Sequence, residues 1–90
     1  MEKQELHDKL QLASKQIKEA QESIRLAQGS DLHLYNRAEE QLQHAESELE
    51  SLKSAGTEAI ENSQFQQAYE QLHDTRQQVQ EAQQNINDVL

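Results

Sequence analysis

Glu40, His44 and Glu48 recur four residues apart in the stretch YNRAEEQLQHAESELESL, residues 35–52. On a helix such a row shares one face, and carboxylate and imidazole groups so placed are the ligand types that hold zinc. A working site also needs a further ligand from another element and outer groups that orient the imidazole. Glu70 and His73 form a second pair, with the ExxH spacing used by di-iron carboxylate bundles. Those sites require the pair to point inward, opposite a second ExxH and two more glutamates. No other ExxH occurs in this chain. His7 and His33 have only ordinary neighbours such as Asp8 and Asp31. Whether either row does chemistry depends on the faces these residues occupy.

The apolar residues settle the faces. From Leu6, steps of four and three reach Leu10, Ala13, Ile17, Ala20, Ile24 and Ala27. The same spacing links Tyr35, Ala38, Leu42, Ala45, Leu49 and Leu52, and then Phe65, Ala68, Leu72, Thr75, Val79, Ala82, Ile86 and Val89. An unbroken a/d repeat of this kind marks helices that pack along a seam. There is no proline, and Glu, Gln, Lys and Ala are plentiful, all good helix formers. The predicted helices cover about residues 3–28, 31–54 and 63–89.

Gly29 and Gly56 stand just past the first and second stripes, where a left-handed residue commonly ends a helix. Ser30 or Asp31 is placed to cap the second helix, and Ser63 with Gln66 has the spacing of a capping box for the third. Residues 57–62 read as a separate turn, with Ile60 closing one end of the core. Short connections favour antiparallel neighbours. The predicted fold is therefore all-α, a single domain over 1–90 built as an antiparallel up-down-up three-helix bundle with coiled-coil-like heptad packing. Alanines at alternate seam positions let the axes approach closely.

On this wheel Glu40 falls at f, His44 at c and Glu48 at g, while Glu70 is at f and His73 at b. All of them lie off the seam. The row is a solvated face, and neither a metal nor any cofactor is predicted. Serines occur along the chain, but none sits in a strand-to-helix elbow, and two glycines cannot make a phosphate loop. A slim bundle also leaves little room for a substrate cavity. The reading is of a protein that is not an enzyme.

The net charge of −9 opposes phosphate backbones and anionic lipid surfaces, so no nucleic acid and no membrane partner is predicted. No run approaches the roughly 20 apolar residues of a membrane span. The opening MEKQELHDKL also lacks the apolar centre of a signal peptide. With no cysteine in the chain, these features predict a cytoplasmic location.

Two surfaces remain for a protein partner. Residues 1–29 are balanced in charge, whereas residues 30–56 sum to −4 and residues 57–90 to −5, so the second and third helices offer acids such as Glu39, Glu46 and Glu50 to a basic partner. Moderate negative charge also serves solubility. Leu12 and Leu26 both fall at c, two heptads apart on the first helix and away from the seam. Isolated surface leucines are ordinary, but a slender core makes this pair a candidate contact with a partner helix or with a second copy as a homodimer.

The middle-helix text AEEQLQHAESELESL, with the charged and Gln-rich third helix, resembles the small uncharacterised helical proteins of Gram-positive spore-forming bacteria. That resemblance implies a bacterial, cytoplasmic setting and carries no catalytic residues. In outline the bundle also resembles a spectrin-type repeat, but it is shorter and has no tryptophan. The functional expectation is a noncatalytic protein–protein interaction or structural helical module that self-associates; a metal-binding helical bundle using the Glu/His rows is the alternative.

Overall fold

Among the described residues four helices make the fold: α1 (Lys3–Ala27), α2 (Leu32–Ala55), α3 (Thr57–Glu61) and α4 (Ser63–Val89). The computed structural model describes the backbone of residues 3–89 and the side chains of residues 4–56 and 58–86. The architecture is all-α, with three long helices and one short one. The predicted count of three misses α3, which forms where a turn was expected. Glu58 in its first turn suits the positive end of the helix dipole, and the Asn62 N–H closes it by donating to the Ala59 carbonyl at 3.2 Å.

Ile60 does not close the core. It is 39% exposed, and Ala59 is buried in its place. Successive helical residues point about 100° apart, so on one turn of helix only one of these two neighbours can face inward.

The caps explain where the helices begin. Asp31 Oδ1 accepts the Leu34 N–H at 3.3 Å, so Asp31 rather than Ser30 is the cap of α2. For α4 the cap is Asn62, not Ser63: its Oδ1 accepts from the Gln64 N–H at 2.8 Å and the Phe65 N–H at 3.4 Å. Starting one residue early places Ser63 inside the first turn. The Gln66 amide is thereby freed to donate to the Ile60 carbonyl at 3.2 Å, which ties α3 to α4.

Gly29 is left-handed as its position predicts, whereas Gly56 is not. After Ala27 both Gln28 (φ 50°) and Gly29 (φ 83°) are left-handed, and the Ala27 carbonyl accepts the N–H groups of Ser30 and Asp31. Gly56 has φ 151° and ψ 173°, which is not the left-handed helical region but an extended one open essentially to glycine.

One apolar cluster runs through the helices. It contains Leu6, Leu10, Ala13, Ile17, Ala20 and Ala27 from α1, the six predicted residues of α2, Ala59, and Phe65, Ala68, Leu72 and Val79 from α4. Ile24, Ala82 and Ile86 are only partly buried against it. The side chain of Val89 lies outside the described residues. Thr75 is buried and accepts a hydrogen bond from the Gln21 amide at 3.3 Å. Ser23 is buried although it was not assigned to the stripe, and its hydroxyl lies 3.1 Å from both the Glu19 carbonyl and Gln41 Oε1. One proton serves the two acceptors, which removes most of the penalty of sinking a hydroxyl beside Ala20 and Ala27.

Cross-helix bonds give the directions. Lys9 reaches Ser51 near the start of α1 and Ser23 reaches Gln41 near its end, so α2 returns along α1. Tyr69, Arg76 and Gln83 of α4 meet Glu50, Glu46 and Glu39 of α2 in descending order, so α4 returns along α2. The described molecule measures 48 × 17 × 16 Å across its Cα atoms.

Candidate functional site

The Glu40–His44–Glu48 row sits on α2 with its back to the core. Ala45 and Leu49 are buried, so Glu40 and His44 are exposed and Glu48 is half-buried at the rim. Glu70 and His73 are exposed on α4, and the His73 ring is used locally, edge-on to Tyr69 with centroids 4.7 Å apart. His7 and His33 are exposed as well. Among the described residues no three His, Asp or Glu side chains converge in a way that would hold a metal ion.

Glu39, Glu46 and Glu50 lie on the flank of α2 that faces α4, and each has a partner there. Gln83 donates its amide to Glu39 Oε2 and to Asn36 Oδ1, both at 3.0 Å. Arg76 pairs with Glu46, and the Tyr69 hydroxyl donates to Glu50 Oε1 at 3.3 Å. These carboxylates therefore tie the fold together from outside the core. A signal for this was present in the sequence: Tyr69, Arg76 and Gln83 are seven apart at e positions, and Glu39 and Glu46 occupy e positions on α2. Residues at e and g are the ones that reach across a helix seam.

Leu12 and Leu26 remain uncovered, at 43% and 53% exposure. They lie on one line of α1, about 21 Å apart at 1.5 Å per residue. Leu32, 40% exposed at the first position of α2, was not singled out from the sequence and adds apolar surface just across the turn from Leu26.

A groove of about 530 Å³ opens between α1 and α4. Leu10 and Ala68 contribute apolar surface to it; Ser14, Lys15 and Lys18 line it on α1, and Gln64, Gln67 and Gln71 line it on α4. A smaller hollow of about 280 Å³ shares His7, Leu10 and Gln64 with it and reaches Glu58 and Glu61 of α3. The small side chains of Ser14 and Ala68 leave this side of the molecule open.

No protein-family model, curated protein or solved structure matches the chain.

The electrostatics are those of a surface. Glu22 and Arg25 pair one turn apart on the outside of α1, and the hydrogen bond from Arg25 holds the Glu22 carboxyl below its ordinary value while raising that of Arg25. None of the described helices is long and apolar enough to cross a membrane. Two features of α1 stand uncovered: the apolar line of Leu12 and Leu26, and beside it the polar groove shared with α4.

Proposed function

We propose that the chain is a noncatalytic protein–protein interaction or structural helical module, an up-down-up bundle with coiled-coil-like heptad packing, working in the cytoplasm. Its contact line is Leu12 and Leu26 on α1, and a second copy of the chain is a partner for that line. The observation that carries this reading is the pairing of opposites on one molecule. The acids Glu39, Glu46 and Glu50 are engaged within the fold, while two large apolar side chains on α1 are left half in water. Covering such a pair against an equivalent pair related by a twofold axis buries both at once.

Light scattering combined with size exclusion tests this directly. The wild-type chain is expected to shift from monomer toward dimer at high micromolar concentration, and Leu12→Glu with Leu26→Glu is expected to hold it as a folded monomer. A wild-type chain that stays monomeric throughout, with a mass indistinguishable from the double variant, sinks the self-association.

A further inference from the structure

We propose that the groove between α1 and α4 is a second docking site, which takes an acidic amphipathic helix from another protein. Acidic residues outnumber basic ones 17 to 8 in this chain, yet no Asp or Glu lines the groove and two lysines do. Among the described residues neither Lys15 nor Lys18 is in an ion pair, whereas Arg25 and Arg76 both are. Gln64, Gln67 and Gln71 on the opposite wall add amide donors that are uncharged and adaptable. The lining is thus rich in donors and free of carboxylates, in a chain whose net charge is −9. That contrast favours a partner bearing carboxylates and disfavours one that presents Lys or Arg.

A helix is the form of partner that fits. The groove runs between two long helices and has Leu10 and Ala68 in its lining, so a third helix laid along it would place an apolar residue there and complete a four-helix cross-section. Lys15 and Lys18 stand three residues apart, about 4.5 Å along the axis, which matches Glu or Asp side chains at i and i+3 or i+4 of the incoming helix. A phosphate polymer is the less favourable occupant, because two lysines cannot offset the repulsion of a chain of net charge −9. On α1 this surface adjoins the line of Leu12 and Leu26, with Leu12 one turn from Lys15, so the two sites are told apart by substitution.

The test is ¹⁵N chemical-shift mapping of the full chain with a synthetic helical peptide that carries Leu on one face and Glu on its flanks, at up to ~1 mM, where contacts of millimolar affinity register. Shifts are expected at Lys15, Lys18, Gln64, Gln67 and Gln71. They should disappear in Lys15→Glu with Lys18→Glu, and apparent affinity should fall about fivefold between ~0.02 M and ~0.3 M salt, as exposed charges are screened. The same peptide with Lys in place of Glu should leave these residues unmoved. Both lysines are exposed, so the charge-reversed chain should keep its helicity; Lys15→Gln with Lys18→Gln provides a milder second variant. The shifts should persist in Leu12→Gln with Leu26→Gln, which removes the apolar line without setting a carboxylate beside Lys15 and keeps this result independent of the dimer. Groove residues that do not move at the highest peptide concentration overturn the proposal, as do shifts that survive charge reversal. Tripolyphosphate or a DNA duplex reproducing the same shifts at the same concentrations would overturn the helical partner in favour of a simple anion site.

Discussion

Arg76 of α4 and Glu46 of α2 pair across the seam between their helices, with side chains that are 27% and 38% exposed. Arg76 is the only Lys or Arg in 57–90, so this position holds the one permanent cation that this stretch can offer to the acids of α2. A partly exposed pair of this kind contributes about 0.5–1 kcal/mol. Glu46→Gln should therefore lower the free energy of urea unfolding by about that amount. In an Arg76→Gln background the same substitution should cost almost nothing, and the coupling should shrink at high salt. Equal losses in both backgrounds would show that the pair does not hold the seam.

Gln16 carries a polar atom that the fold leaves stranded: its Oε1 is buried with no hydrogen-bond partner among the described residues. An unmet buried acceptor costs about 1–3 kcal/mol. Gln16→Met keeps the length and helix propensity of the side chain and removes the acceptor, so it should stabilise the chain by about 1 kcal/mol. In thermal unfolding a chain of this size should gain about 4–8 °C for that change. A fall in the midpoint would mean that the glutamine side chain is satisfied in solution.

The long helices were legible because burial follows a period that polarity also follows. Leu10, Ala13, Ile17 and Ala20 are oily and inside, and His44, between the acids of its row, is outside. What a wheel drawn for one helix does not give is a position decided by a partner distant in the chain. Ser23 is inside because Gln41, eighteen residues later, meets its hydroxyl, and Ile24 beside it is left half-buried. The acids of α2 read as a free surface because their α4 partners lie between nineteen and forty-four residues away. Cap choice failed for a local reason: Asn62 and Ser63 are both good caps, and the hold of Gln66 on Ile60 accompanies the earlier start. The groove beside Lys15 and Lys18 was invisible to a wheel drawn for one helix, since it arises from small residues on two.

Glu22 supplies a pH dependence whose sign is fixed. The hydrogen bond from Arg25 lowers its carboxyl value in the folded chain; desolvation opposes this in part, and the positive charge of Arg25 adds a lesser lowering effect. A carboxyl held below its unfolded value adds stability that is fully present above the unfolded value and is lost as pH falls through the folded one. Both side chains are more than half exposed, so the contribution is screened by solvent and salt. A carbon-detected NMR titration of Glu22 should show its midpoint rise in Arg25→Gln and also rise in the wild type at high salt. A midpoint that does not respond to either change would mean that the pair is absent in solution.

Gly56 offers the sharpest separation of backbone from packing. At φ 151° and ψ 173° an L side chain is strained, yet among the described residues a Cβ added there would meet no atom within 4 Å beyond its own and the adjoining residues. Gly56→Ala should therefore destabilise through the backbone alone, by about 1–3 kcal/mol. Because the mirror image of this conformation is ordinary extended backbone for an L residue, D-alanine should fit without strain. A chain made by chemical ligation with D-alanine at 56 should be more stable than wild type by about 0.4–1 kcal/mol, since the unfolded state loses freedom that the folded state never used. If the L and D chains unfold at the same temperature, the extended glycine link between α2 and α3 is not the conformation the protein keeps.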